Sequence, residues 1–134
     1  MRLWHYKLIP YLPKSQLLAQ WRELNSIFKK QDNHILINYI YEYPKTDLCI
    51  YANMVTKEMV NRGYKIKSMD NYQEYFKELP WLAEEVYAPF QRHHDENYLM
   101  VCYWNLREKY MRGQKDFDKA TFDKLHIFCF DRWI

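Results

Sequence analysis

Apolar residues recur at helical spacing in four stretches of the chain. Side chains placed every third or fourth residue share one face of an α-helix, where they can pack against a core. The four predicted faces are Leu17/Trp21/Leu24/Phe28, Leu48/Tyr51/Val55/Met59, Leu99/Cys102/Leu106/Tyr110 and Phe122/Leu125/Cys129. The pattern therefore predicts an all-α fold.

Residues that favour helix ends flank these stretches. Candidates for the first turn or the cap of each helix are Pro13, Thr46 or Asp47, Asp95, and Asp116 or Asp118. Gly63 and Gly113 suit the position just past a helix end, because glycine tolerates the left-handed backbone found there. The predicted boundaries thus follow from local chemistry alone.

The remaining segments have weaker patterns. Residues 32–44 carry no helical face and are predicted to be extended chain or a buried loop. Residues 71–79 are predicted to form a short helix that ends at Pro80, and residues 81–87 another short turn. The length of 134 residues is that of one domain. We therefore expect residues 1–134 to form a compact single helical domain with several irregular connecting segments.

Composition excludes several classes of protein. Two glycines leave no glycine-rich phosphate loop. Cys49, Cys102 and Cys129 lack the spacing of a zinc site or disulfide framework, so buried thiols are expected. No apolar run has the length of a membrane span, and no signal peptide is recognisable, which favours a cytoplasmic protein. The net charge of +3 permits a nucleic-acid partner without requiring one.

The most informative chemistry lies around Glu23. Its carboxylate falls away from the apolar face of the first predicted helix, beside Gln16 and Gln20. The start of the chain is near in sequence, and a free α-amine titrates at about pH 7.7, so part of it is a neutral nucleophile. An amine and a carboxylate together suffice for Schiff-base chemistry. The alternative is a solvated helix face beside a frayed terminus.

Four segments of this sequence resemble one known family. They are Arg2-Leu3, residues 12–24, residues 60–67 and, more weakly, residues 94–97. Together they resemble the pyrimidine-dimer DNA glycosylases of the phage endonuclease V type, and residues 1–10 resemble a bacterial branch of that family. The resemblance is most specific over the first 28 residues.

The resemblance implies a function and a site. It implies an all-α domain that acts on damaged double-stranded DNA without metal or organic cofactor, by glycosylase and apurinic/apyrimidinic lyase chemistry. The terminal amine attacks the sugar's anomeric carbon, and an imine joins protein to DNA before the strand breaks. Glu23 matches the catalytic carboxylate, and Arg2 and Arg22 match arginines that hold phosphates. Because Arg2 is large enough to block removal of the initiator methionine, the amine is expected to be that of Met1.

Other residues are candidate DNA contacts with alternatives left open. His5 can steer the amine or a phosphate, or simply pack. His34 lies where the family has loop residues of the active site, and it can also be an ordinary loop histidine. His94 can contact phosphate, beside an Asp95 that caps a helix. A metal at His93-His94 is disfavoured, because adjacent histidines diverge and no third ligand follows.

Basic residues are concentrated in the amino-terminal third and suggest a DNA-facing patch: Lys7, Lys14, Arg22, Lys29 and Lys30. A second group, Arg62, Lys65 and Lys67, is expected to cover a helix end. The family's histidine before the glutamate is replaced by Gln16, and its basic residue after the glutamate by Ser26. These changes and the retained Met1 leave open a DNA-binding module without catalysis. A protein-interaction domain using aromatic surface is a third hypothesis.

Overall fold

The computed structural model describes residues 1–79 and 87–131, and every regular element in these ranges is helical. The α-helices are α1 (Lys14–Lys29), α2 (Lys45–Asn61), α3 (Asp70–Tyr75), α4 (Glu96–Met111) and α5 (Lys119–Asp131). Short 3₁₀ helices span Tyr6–Tyr11 and Asn38–Glu42. The predicted all-α class is confirmed. The predicted stop at Pro80 and the turn over 81–87 lie outside the described residues, except for Tyr87.

The predicted apolar faces build the core. Helix α1 packs against α2 and α3, and α4 packs against α5. Leu17 and Leu24 of α1 have no exposed surface, and Leu106 of α4 has none either. Truncating such a leucine to alanine costs about 2–5 kcal/mol, because the core does not close fully around the cavity. The hydrophobic spacing therefore identified the faces that hold the fold together.

Two predicted caps are confirmed by hydrogen bonds. An Asp95 side-chain oxygen accepts from the Tyr98 N–H at 2.8 Å, which caps α4. An Asp118 oxygen accepts from the Thr121 N–H at 2.8 Å, at the start of α5. Both carboxylates satisfy N–H groups that a helix leaves without an internal partner.

The glycines act as predicted, whereas two helix starts differ. Gly63 has a φ of +83° just after α2, where the left-handed conformation favours glycine. Helix α2 begins at Lys45 after Pro44, so neither predicted cap is used. Asp47 instead accepts from the Phe90 N–H at 2.9 Å and ties α2 to the segment before α4. Pro13 precedes α1 rather than lying in its first turn.

Residues 32–44 form turns and a 3₁₀ helix instead of extended chain. The His34 carbonyl accepts from the N–H groups of Ile37 and Asn38, at 2.9 and 3.0 Å. Ile37 and Ile40 are buried and anchor this segment to the core. Two isolated isoleucines three residues apart were too few to reveal the helical period.

The first residues of the chain run through the core rather than over its surface. Leu3 has no exposed surface, and its carbonyl accepts from the Tyr98 hydroxyl at 2.6 Å. The Trp4 N–H donates to Gln20 Oε1 at 2.8 Å. These contacts come from α4 and α1, so the terminus is fixed between two helices. The alternative of a frayed terminus therefore does not agree with the structure.

Most aromatic rings serve the core. The exposed aromatic side chains among the described residues are Tyr87, Trp104 and Phe130. Cys49, Cys102 and Cys129 are free thiols with buried side chains, as predicted. In the described part of the chain, none of the helices combines the length and apolar character needed to cross a membrane.

Candidate active site

A cleft of about 420 Å³ opens beside the start of the chain. One face of α1, the chain terminus and two residues of α4 provide its polar groups: Met1, Arg2, Gln16, Glu23, Asn105 and Lys109. Positions 16 and 23 are seven residues apart, or about two helical turns, so their side chains point the same way from α1. The structure thus brings together the two residues that the sequence singled out for chemistry, Met1 and Glu23.

Burial and positive charge act in opposite directions on Glu23. Desolvation of the half-buried carboxyl raises the pKa of Glu23 above its usual range, and this effect is the largest. The charge of the Met1 amine, the Arg2 N–H, and the charges of Arg22 and His34 all favour the ionised form and offset part of that rise. A carboxyl balanced in this way can both stabilise a nearby cation and exchange a proton.

The side chain of Gln20 links this carboxyl to the terminus. Its amide nitrogen lies 3.1 Å from the Glu23 carboxylate and 3.1 Å from the Arg2 carbonyl, and donates to both. The sequence placed Gln20 on the same side as Glu23, and the structure buries it completely. A buried amide under the cleft was not foreseen, because its partners come from three separate segments.

The two predicted phosphate-binding arginines occupy different places. Arg2 lines the cleft, and its guanidinium carbon lies 5.8 Å from the centre of the Tyr98 ring. Arg22 is exposed on another side of α1, because consecutive residues of a helix point about 100° apart. The charge of Arg22 still lowers the pKa of Glu23.

Arg22 belongs to a second depression, which we call the basic groove. This groove has a volume of about 640 Å³, and its cations are Arg22, Lys29, Lys65 and Lys67. Among the described residues that line it, none is acidic. The sequence predicted two separate basic clusters, and the fold joins members of both across α1. Arg62 instead donates to the Leu12 carbonyl at 2.7 Å and pairs with Glu58.

His94 is buried and lies beneath the chain terminus. The Tyr6 N–H donates to His94 Nδ1 at 3.2 Å, so Nε2 carries the proton and donates to the Tyr39 hydroxyl oxygen at 2.6 Å. Burial, with His5 and His93 nearby, lowers the pKa of His94 to about 3, and the ring is therefore neutral near pH 7. His94 supports the terminal segment from within the core.

His5 is also buried, and its ring centre lies 5.2 Å from that of His94. His5 Nδ1 accepts from the Lys7 N–H at 3.1 Å, which caps the first 3₁₀ helix. Since both rings are enclosed, neither presents a surface to DNA. Their predicted role as direct DNA contacts has no support in this geometry.

The three other predicted contacts lie at or near the surface. Gln16 lines the cleft and exchanges two hydrogen bonds with Gln114, at 3.2 and 2.8 Å. His34 is exposed, and its Nδ1 accepts from the N–H of Leu36, a residue that lines the cleft. The Lys14 ammonium lies 5.2 Å from the centre of the Tyr64 ring, in a depression away from the cleft.

Two cleft residues were missed by sequence reasoning. Asn105 and Lys109 are four residues apart on α4 and face the terminus across the cleft. Their spacing showed that they share a helix face. The sequence did not indicate that this face of α4 lies beside the chain terminus, because the two segments are about a hundred residues apart. In the described residues, no group of three His, Cys, Asp or Glu side chains is arranged to hold a metal ion.

Comparison with known proteins identifies the family. Residues 1–72 match the model of the pyrimidine dimer DNA glycosylases, which is more than half of the 134-residue chain. Searches of curated proteins and of solved structures returned no match. The matched stretch includes Met1, Arg2, Arg22 and Glu23, while Asn105 and Lys109 lie beyond it. The chain therefore belongs to the pyrimidine dimer DNA glycosylase family, a family of DNA repair glycosylases.

Proposed function

We propose that this protein is a DNA glycosylase with apurinic/apyrimidinic lyase activity, which starts base excision repair at pyrimidine dimers in double-stranded DNA. The observation that carries the proposal is the shared cleft: the first residue of the chain and a half-buried carboxyl line it together. The family match supports the glycosylase part. The lyase part and the dimer substrate rest on the chemistry of the two groups and on the resemblance.

The first step joins protein to sugar. The neutral amine of Met1 donates its electron pair to the anomeric carbon, and the glycosidic bond breaks. The base leaves with the electron pair of that bond and takes the proton that the attacking nitrogen releases. The sugar ring then opens, its oxygen takes a proton, and a cationic imine remains. The protonated Glu23 carboxyl gives the ring oxygen this proton, and the resulting carboxylate stabilises the cation, roles that suit a carboxyl whose pKa is raised by burial.

The second step breaks the strand. The Glu23 carboxylate removes a proton from the carbon next to the imine, and the electrons of that C–H bond expel the 3′ phosphate. Water then hydrolyses the imine and restores the amine. Because the same carboxyl acts in both steps, its protonation state governs the overall rate.

Cations near the cleft give the DNA backbone its contacts. Arg2 and Lys109 line the cleft together with Met1, and either can hold a phosphate next to the reacting sugar. Arg22 and the lysines of the basic groove hold backbone phosphates on the other side of α1. Reaching the anomeric carbon in a duplex requires local distortion, which such contacts help to fix.

The remaining predicted residues take secondary parts in this proposal. Gln16 presents its amide to the DNA at the cleft, and His34 and Lys14 contact the backbone from the surface. His5 and His94 hold the terminal segment in place. We also propose that residues 1–134 act as one domain in the cytoplasm at the nucleoid, since α4 contributes to a cleft whose other walls lie in the matched stretch.

Duplex oligonucleotides with one defined lesion test the proposal. The wild-type protein should incise a duplex with a thymine dimer and a duplex with an abasic site, and borohydride should trap a covalent adduct. Incision at the abasic site alone would refute the dimer substrate. Binding without incision or adduct would favour a module that binds DNA without catalysis. That alternative was raised because Gln16 and Ser26 replace a histidine and a basic residue of the family.

A further inference from the structure

Gln20 is a buried side chain whose hydrogen-bonding groups are all in use. Its amide nitrogen donates to the Arg2 carbonyl and the Glu23 carboxylate, each at 3.1 Å. Its oxygen accepts from the Trp4 N–H and from the Tyr51 hydroxyl, each at 2.8 Å. A glutamine has two N–H donors and one oxygen with two lone pairs, so this side chain is saturated.

The partners of Gln20 are the parts of the proposed reaction centre. Two of its bonds go to the main chain of residues 2 and 4. They hold in place the backbone segment that carries the Met1 amine. A third goes to the carboxylate of Glu23, one helical turn further along α1. One rigid amide therefore sets the position of the nucleophile's segment relative to the carboxyl.

Tyr51 of α2 holds this amide from behind. Its side chain has no exposed surface, and its single O–H proton is shared between the Trp4 carbonyl oxygen, 2.6 Å away, and Gln20 Oε1, 2.8 Å away. Burial raises the pKa of Tyr51, so the hydroxyl remains a donor at any working pH. The network thus extends from α2 through Gln20 to Glu23.

We propose that Gln20 is a positioning residue for the imine chemistry, that it orients the Met1 segment and the Glu23 carboxyl together, and that Tyr51 fixes its orientation. This inference rests on the proposed function. Reacting groups lose large factors in rate when they shift by about 1 Å, so an amide that spans both groups controls the rate more than the affinity. Its N–H bond to the carboxylate also favours the ionised form of Glu23.

The charges that surround Glu23 define a clear pH readout. The Met1 amine and the Arg2 N–H oppose the effect of burial on the pKa of Glu23 from the terminus, as do the charges of Arg22 on α1 and of His34 before the second 3₁₀ helix, and Lys109 of α4 lines the same cleft. Replacing Gln20 by an uncharged residue leaves all five in the sequence. A shift of the acid side of the rate profile in such a variant then reports the lost hydrogen bond.

The variants Gln20→Met and Tyr51→Phe test the inference. Gln20→Met keeps the length of the side chain and removes all four bonds. It should lower the single-turnover lyase rate by about tenfold to a hundredfold. Affinity for a duplex with a tetrahydrofuran abasic analogue should stay within about twofold, since no DNA-facing cation is lost. The acid side of its rate profile should move to higher pH, because Glu23 loses a donor.

Tyr51→Phe removes one hydroxyl and should give a smaller fall in rate, about threefold, with unchanged affinity. Tyr72→Phe is its matched control. The Tyr72 hydroxyl is also held by side chains in the core, donating to Asn53 at 2.7 Å, and belongs to neither the cleft nor the basic groove. This control should keep the wild-type rate and pH profile.

The outcomes separate the inference from the proposed function. If wild-type protein forms no borohydride adduct, the proposed function fails. If wild-type protein forms the adduct and both variants keep its rate and pH profile, the positioning role is overturned. A fall in rate that only matches the loss of folded protein, measured by circular dichroism, with an unshifted pH profile, also overturns it. Should Gln20→Met fail to fold, Tyr51→Phe decides.

Discussion

The cleft and the basic groove lie on different sides of α1 and are built by different means. In the cleft, the carboxyl of Glu23 is half-buried and hydrogen-bonded to Gln20, and the terminus beside it is fixed by buried bonds. In the groove, the side chains of Arg22, Lys29, Lys65 and Lys67 are exposed. One side of the helix is ordered before any ligand arrives, whereas the other offers charge on long, flexible side chains.

This difference assigns separate tasks to the two regions. Fixed groups in a partly dry site stabilise charge that develops during a reaction, because they need little reorganisation. Exposed lysines act through phosphate contacts that release counterions, so their effect depends on salt. We therefore expect substitutions in the cleft to change rates, and substitutions in the groove to change affinity and its salt dependence.

The largest effect is expected for Glu23→Gln. Loss of the carboxylate should lower the single-turnover lyase rate by about a hundredfold to a thousandfold, because both proton transfer and cation stabilisation are lost. Binding to the tetrahydrofuran duplex should be unchanged. The exposed carboxyl of Glu78 provides the matched control, and Glu78→Gln should behave as wild type. Equal losses of rate and affinity in Glu23→Gln would contradict the division between the two regions.

The next largest effect is expected for Lys65→Gln combined with Lys67→Gln. Each lysine that contacts a phosphate contributes about one unit to the slope of log affinity against log salt, so the slope should fall by about two. The rate at saturating DNA should stay at the wild-type value. Lys57→Gln neutralises an exposed lysine of α2 outside the groove and should leave the slope intact. An unchanged slope in the double variant would remove the groove from the DNA interface.

A smaller effect is expected for the stability of the folded protein at low pH, which depends on the buried His94. His94 has a pKa of about 3 in the folded protein, whereas a free imidazole titrates at 6.5. Between these two values the unfolded chain binds a proton at His94 and the folded protein does not. The free energy of unfolding therefore falls by about 1 kcal/mol per pH unit as the pH falls from 6.5 towards 3. Replacing the His94 ring by an uncharged amide removes this pH-dependent loss of stability.

Urea unfolding at several pH values checks that expectation. His94→Gln should be less stable than wild type at neutral pH, and the gap should narrow as the pH falls. A gap that stays constant from pH 7 to pH 4 would show that His94 does not carry this titration.

The smallest effect is a gain in stability expected for Glu23→Gln. Burial raises the pKa of Glu23, so the folded protein binds its proton more tightly than the unfolded chain does. At pH values above the pKa of Glu23 in the folded protein, the buried charge therefore lowers stability. This loss disappears as the pH falls through that pKa to below the ordinary value of 4.5. Glu23→Gln should therefore raise the melting temperature at pH 7 relative to wild type. A lower melting temperature at pH 7 would contradict the effect of burial.

Local chemistry was enough to predict much of the fold and part of the site. The buried faces followed from the spacing of leucines, and Asp95, Asp118 and Gly63 marked helix ends through their own backbone preferences. The pairing of Met1 with Glu23 in one cleft was expected from a resemblance concentrated in the first 28 residues. These features depend on neighbours in sequence or on a motif confined to one end of the chain.

What sequence reasoning missed depends on contacts between distant segments. Gln20 looked like a polar residue on an open face, yet Trp4 and Tyr51 enclose it. His94 looked like a surface ligand for phosphate, although Tyr6 and Tyr39 bind both of its nitrogens inside the core. A residue's own identity does not reveal that another segment covers it.

Peptide mapping of the trapped adduct identifies the nitrogen atom that attacks the sugar. Wild-type protein is incubated with abasic-site DNA and borohydride, digested with nuclease and protease, and examined by mass spectrometry. We expect that Met1 is retained and that the sugar remnant is attached to its α-nitrogen. A remnant on a lysine side chain such as Lys109, or an N-terminal amine that is blocked in the active protein, would contradict it.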